Sequence, residues 1–133
     1  MLIGPFVTDH DIVIVAPDAT LRDAADRMRA RGVGSALVTA ELRGGAFGII
    51  TERDLLRATA DGVDPQDTRV AAYRTSDAVT ITPEWHVVDA AKAMMQRGFR
   101  HLIVVDGGKL VGVVSMRDMV RALLQDRQRM AAG

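Results

Sequence analysis

Cysteine is absent from this chain, which excludes disulfides, thiolate metal sites, iron–sulfur clusters and cysteine nucleophiles together and fits a reducing compartment. Aromatics are scarce: one Trp, one Tyr and three Phe supply no stacking platform for single-stranded bases. Net charge is missing too, because 17 basic residues balance 17 acidic ones. A non-specific nucleic-acid binder needs a basic surface to displace counterions from phosphates. No stretch approaches the roughly 18 consecutive apolar residues that suggest a membrane-spanning helix. Met1-Leu2-Ile3-Gly4-Pro5-Phe6 lacks the basic and long apolar regions of an export signal. The expectation from these absences is a soluble, cytoplasmic protein.

What the chain does contain is one plan written twice. Gly48-Ile49-Ile50-Thr51-Glu52-Arg53-Asp54 returns 64 residues later as Gly112-Val113-Val114-Ser115-Met116-Arg117-Asp118. Pro17, Ala24, Ala25, Met28, Arg31 and Gly32 return as Pro83, Ala90, Ala91, Met94, Arg97 and Gly98 at an offset of 66. The offsets differ because Ala40 to Gly48 fills nine places where Asp106 to Gly112 fills seven. A surface turn absorbs such a change at little cost in closure entropy. At 133 residues, 48% of them hydrophobic, the chain has the size of one domain, and a copy of roughly 60 residues is marginal alone. The expectation is two halves packed face to face around one shared core.

Each copy reads strand, helix, strand, strand, helix. In the first, Asp11 to Val15 is a short Val/Ile strand, and Thr20 caps a helix in which Leu21, Ala24, Ala25 and Met28 recur at helical spacing before Gly32 stops it. Ser35 to Thr39 and Ala46 to Thr51 are strands around a Gly-Gly turn, and Glu52 to Ala60 is a second helix. In the second copy Ala78 to Thr82, Val87 to Gln96, His101 to Val105, Lys109 to Ser115 and Met116 to about Gln125 repeat the order. The result is an α/β (α+β) chain with repeats at 8–60 and 76–125, a polar, turn-forming linker at 61–75, and a tail at 126–133 that extends the last helix and then frays.

In both heptads a hydroxyl and a carboxylate three residues apart sit where a strand becomes a helix. Thr51 or Ser115 at the helix start caps backbone N–H groups, and such groups also attract anions. Asp54 and Asp118 fall in the first turn, where a carboxylate can accept two hydrogen bonds from a vicinal diol such as that of ribose, worth about 1.5 to 3 kcal/mol each. The same spacing is also an ordinary capping box with no ligand. Capping alone places no demand on a glycine three residues upstream, so matched Gly and Arg positions in both copies favour capping combined with binding.

The duplicated plan, with its Gly-h-h-[Ser/Thr]-x-x-Asp heptads, resembles the cystathionine-β-synthase-type (CBS) domain pair over essentially all of residues 8–125. The resemblance implies two pseudo-symmetric β-α-β-β-α repeats packed as one module, with two adenosine-binding clefts that each join the motif of one copy to the early strands of the other. In one cleft Ser115, Arg117 and Asp118 meet Thr8, Val13, Gly34, Ser35 and Ala36. Its aspartate takes the ribose hydroxyls, the small residues leave room for a purine, and the Val13 backbone reads the purine edge. In the mirror cleft Thr51, Arg53 and Asp54 meet Val79, Arg100, His101 and Leu102, with Arg100 and His101 as the phosphate contacts. The chain departs from the family's pattern in the linker, where Tyr73 replaces the usual methionine and Arg74 stands in the place matching Thr8.

The resemblance further implies a stand-alone regulatory module, not an enzyme. It would bind AMP, ADP, ATP, NAD or S-adenosylmethionine as a regulatory ligand, require no cofactor, and signal to a separate effector protein. It would dimerise into a four-repeat disc through Leu55-Leu56 and Met119-Val120-Leu123, with the lone Trp85 in packing or at that dimer contact. His10, His86 and His101 are scattered without metal-ligand spacing. No serine elbow, Walker-type loop or acid pair outside the heptads offers catalysis. No metal, membrane or nucleic-acid partner is expected. The alternative is a ligand-free interaction scaffold whose heptads serve only as caps.

Overall fold

The structure, a computed structural model, describes residues 1–7, 12–39, 47–75 and 79–132. It divides into two compact units, Asp11–Ala78 and a second made of Met1–His10 with Val79–Gly133. The first unit runs β1 (Ile14–Val15), α1 (Leu21–Arg31), β2 (Ser35–Thr39), β3 (Phe47–Thr51) and α2 (Glu52–Ala60). Its sheet has the order β1-β2-β3, with β1 parallel to β2 and β2 antiparallel to β3. The second unit repeats the order with β4 (Thr80–Ile81), α3 (Val87–Arg97), β5 (His101–Asp106), β6 (Lys109–Ser115) and α4 (Met116–Ala132). The expected tail is helical as far as Ala132. The first strand of each copy is shorter than expected: only Ile14 and Val15, or Thr80 and Ile81, find ladder partners among the described residues.

Local chemistry sets these boundaries. Thr20 caps α1 by accepting a hydrogen bond from Asp23 N at 3.0 Å. Gly32 and Gly98 end α1 and α3 at φ of 67° and 71°, the left-handed conformation that a Cβ disfavours. The inner face of each sheet is then covered by its own helices. Leu21, Ala24, Met28, Ala36, Val38, Ile50 and Ala58 are buried in one cluster, and their counterparts Val87, Ala90, Met94, Leu102, Val104, Val114 and Ala122 in the other. Where Ala36 grows to Leu102, Leu21 and Ile50 shrink to Val87 and Val114, so the total volume is nearly kept. Each unit thus has a buried cluster of its own. Leu37, Ile49 and Ile103 are also buried, yet lie outside both clusters.

The least local feature is the placing of the two segments that lead into the repeats. Residues 1–7 join the second unit: Ile3 N donates to Trp85 O at 2.9 Å, Gly4 N to Pro83 O at 3.2 Å, and Val87 N to Met1 O at 2.9 Å. Residues 68–71 do the same in the first unit: Val70 N donates to Ala19 O at 2.8 Å, Ala71 N to Pro17 O at 2.9 Å, and Leu21 N to Thr68 O at 2.9 Å. Leu21 and Val87 are the first residues of their helices, whose N–H groups have no partner inside the helix. A passing carbonyl satisfies each. Ile3 and Val70 are both fully buried in these clusters. Replacing Ile3 by Ala is expected to cost about 2–5 kcal/mol by urea denaturation, although the residue is third in the chain. A loss under about 0.5 kcal/mol, the scale of an ordinary surface change, would show that the leading segment is not docked.

Candidate functional site

The heptads form the expected strand-to-helix junctions, and both are closed capping boxes. At the first, Asp54 Oδ2 accepts from Thr51 N at 2.9 Å and from Thr51 Oγ1 at 3.2 Å, while Thr51 Oγ1 accepts from Asp54 N at 3.4 Å. At the second, Asp118 Oδ2 accepts from Ser115 N at 2.8 Å and Ser115 Oγ at 2.9 Å, and Ser115 Oγ accepts from Asp118 N at 3.2 Å. One carboxylate oxygen of each aspartate is thus committed to the backbone turn. The other faces an arginine one helical turn on: Asp54 Oδ1 lies 3.4 Å from Arg57 Nη2, and Asp118 Oδ1 lies 3.9 Å from Arg121 Nη1. Arg57 and Arg121 escaped the sequence reading. Their shared offset of 64 and their i+3 spacing from the aspartates were the signals that could have found them.

Around each junction the structure gathers the other candidate residues of the same repeat. Ser35 pairs in register with Thr51, and Glu52 N donates to Gly34 O at 3.1 Å. His101 likewise pairs with Ser115, and Met116 N donates to Arg100 O at 2.7 Å. Val13 O accepts from Leu37 N at 2.8 Å and Val79 O from Ile103 N at 3.2 Å, so both carbonyls serve the ladders. The side chains of Val13, Ala36 and Leu102 belong to the buried clusters. Arg53, Arg117 and Arg100 are exposed, and His101 is half-buried. The space beside Gly34 is taken by the Glu52 carboxylate, whose Oε1 would lie 2.9 Å from an added Cβ. Thr8 lies outside the described residues.

The glycine of the first heptad has a structural cause. A Cβ at Gly48 would come within 3.0 Å of Arg74 Cδ and 3.1 Å of Thr75 O, because Thr75 and Ile49 exchange backbone hydrogen bonds at 2.9 and 3.0 Å. That glycine therefore no longer weighs in favour of a ligand. The hydrogen bonds of the leading segments also match Ile3 with Val70 and Gly4 with Ala71, an offset of 67. Counted so, Phe6 corresponds to Tyr73.

Tyr73 completes a network in the first repeat. Arg57 Nη2 donates to Tyr73 O at 3.2 Å, the guanidinium lies 5.6 Å from the centroid of the Tyr73 ring, and Tyr73 Oη donates to Asp61 Oδ2 at 2.7 Å. The bond to Asp61 holds the phenol above its ordinary pKa, helped by burial and the Asp61 charge and opposed by Arg57. In the second repeat a groove of about 800 Å³ lies beside the motif, lined by Phe6, Val7, Asp118, Arg121, Gln125 and Arg129 among others. Among the described residues no group of three or more His, Cys, Asp or Glu side chains is placed to hold a metal, and no helix is long and apolar enough to cross a membrane.

Residues 6–61 and 70–125 each match the family model of the CBS domain. The chain belongs to the CBS-domain family. An uncharacterized 17.7 kDa protein of Acidianus ambivalens is 40% identical to it over 114 residues, 85% of this chain and 68% of that one. An uncharacterized protein of Methanopyrus kandleri is 33% identical over 117 residues, 86% of this chain, of which this chain spans only 59%. Among solved structures, a hexameric CBS-CP12 protein from bloom-forming cyanobacteria superposes with a TM-score of 0.85 at 26% identity, covering 90% of this chain and 69% of that one. A CBS domain protein from Pyrobaculum aerophilum complexed with AMP gives 0.81 at 30% identity, covering 95% and 97%. The tandem CBS pair is the fold, and paired CBS modules are regulatory.

Two tests address the junctions. Thr51→Ala is expected to cost about 1 kcal/mol in chemical denaturation, with Thr51→Ser restoring most of it; a neutral Thr51→Ala would remove the capping role. Tyr73 is the one tyrosine of the chain, so phenolate absorbance reports it alone. Its titration should lie above the ordinary value of about 10, and Asp61→Asn should bring it down. Because the folded pKa is raised, the stabilisation linked to it is fully present below the ordinary value and is lost as pH rises through the raised one. An unshifted titration in the parent protein would show that the bond to Asp61 does not form.

Proposed function

We propose that this CBS pair is a non-catalytic regulatory module that binds an adenosine-containing ligand through its two motif aspartates and passes the change to a separate effector protein. The observation that carries this reading is the divided use of each aspartate. Oδ2 holds the helix start, and Oδ1 remains in the first turn of the helix as an acceptor for ribose hydroxyls. The AMP held by the Pyrobaculum protein supports the choice of an adenosine ligand. AMP, ADP, ATP, NAD and S-adenosylmethionine all present the same ribose and purine. The ligand is regulatory, so no resident cofactor is called for. Arg100 and His101, at the start of β5, and Arg53 and Arg117, exposed in the first turns of α2 and α4, are the residues we assign to phosphate.

Self-association is part of the proposal, supported by the hexameric CBS-CP12 neighbour. The face put forward for it is only partly available. Met119 belongs to the buried cluster of the second unit and Leu55 packs against that of the first, whereas Leu56, Val120 and Leu123 are 69%, 50% and 42% exposed. Those three are the contact we assign to a homodimer. Trp85, at 37% exposure, already lends its carbonyl to Ile3.

The closed capping boxes also suit a ligand-free scaffold, since they are complete without a nucleotide. Isothermal titration of nucleotide-stripped protein with AMP, ATP, NAD and S-adenosylmethionine separates the two readings. Saturable binding that disappears in an Asp54→Ala/Asp118→Ala double variant is expected. Absence of binding by all four ligands at millimolar concentration would leave the scaffold.

A further inference from the structure

We propose that Arg57 and Tyr73 form a latch on Asp54, so that the two motif aspartates are unequal ribose acceptors and the nucleotide site built on Asp118 is the tighter one. This inference rests on the adenosine reading above and adds to it which site works and what holds the other back.

The argument starts from the valence of the carboxylates. In each heptad Oδ2 already accepts an N–H and an O–H from the cap residue. A vicinal diol that donates two hydrogen bonds must therefore find them on Oδ1. At Asp118 the facing guanidinium is 3.9 Å away, the looser of the two ion pairs. At Asp54 it is 3.4 Å away, and it is held there by the Tyr73 carbonyl at 3.2 Å and the Tyr73 ring at 5.6 Å. The ring is itself fixed by the phenol's bond to Asp61 at 2.7 Å. A diol reaching Asp54 has to compete with this guanidinium.

The second repeat cannot build the same device. Phe6 stands where Tyr73 stands and has no hydroxyl, and Gln125 stands where Asp61 stands and has no charge. Two further observations agree. The Asp54 side chain is 7% exposed against 15% for Asp118, and an open groove borders Asp118 and Arg121.

Calorimetric titration of AMP tests the latch in variants. The parent protein should bind in two steps, the tighter lost in Asp118→Ala and the weaker lost in Asp54→Ala. In the Asp118→Ala background, adding Arg57→Ala should strengthen the remaining site about tenfold, the scale of an exposed ion pair together with a cation–π contact. Adding Tyr73→Phe instead should act in the same direction and more weakly. Loss of the tighter step in Asp54→Ala, or weaker binding on removing Arg57, overturns the proposal; the latter would make Arg57 a ligand contact.

Tyrosine absorbance of the ligand-free variants tells the two ways of failing apart. Arg57 lowers the Tyr73 titration that Asp61 raises, so Arg57→Ala should move it further up. An unmoved titration means that the latch is absent, whatever AMP does. An upward shift with no AMP uptake by any variant means that the contact exists and the nucleotide reading has failed, and the inequality of sites falls with it.

Discussion

The reciprocal bond between a hydroxyl and a carboxylate three residues apart is the constraint on which the rest of the molecule depends. Thr51 with Asp54, and Ser115 with Asp118, join the last strand of each sheet to the helix that covers it. A helix start leaves N–H groups without partners, and the box supplies acceptors at the place where the chain must turn. It also fixes the aspartate's orientation. With Oδ2 tied to the cap residue, Oδ1 is left facing the arginine one turn along. In the reading proposed above, structure and binding would be two uses of one side chain.

The second organising feature is the way backbone from one repeat's leading segment serves the other repeat. Residues 1–7 and 68–75 give carbonyls to the first turns of α3 and α1 and bury Ile3 and Val70. In the first unit the same segment continues as Thr75, paired with Ile49, and its passage is what Gly48 makes room for. It also delivers Tyr73 to Arg57. In the second unit it delivers Phe6. The two repeats keep the same backbone plan while their leading segments bring different side chains, Tyr73 to Arg57 and Phe6 to the buried cluster of the second unit.

Much of this was legible in the residues. Thr20, Gly32, Gly98 and the heptads mark helix ends because capping is decided within three or four residues, and the observed limits of α2 and β6 coincide with the expected ones. The strands that carry Ser35, Thr51, His101 and Ser115 were legible as well, whereas the pairing of Ser35 with Thr51 and of His101 with Ser115 came from the register. Arg57 and Arg121 were missed because an arginine on a helix face is ordinarily solvated, and nothing local shows that a carboxylate oxygen faces it.

The duplication, the order of elements and the two cap residues with their aspartates are set by the order of amino acids alone, since each rests on chemistry between near neighbours or on plain identity between copies. Packing settled the rest: residues 1–7 join the second repeat, Gly48 yields to Thr75, and Asp54 faces a guanidinium seated on Tyr73 while Asp118 does not. Those outcomes depend on which distant backbone passes within hydrogen-bond reach. That is fixed only once sheets and helices have packed, when contacts between residues far apart in the chain take over from local preference.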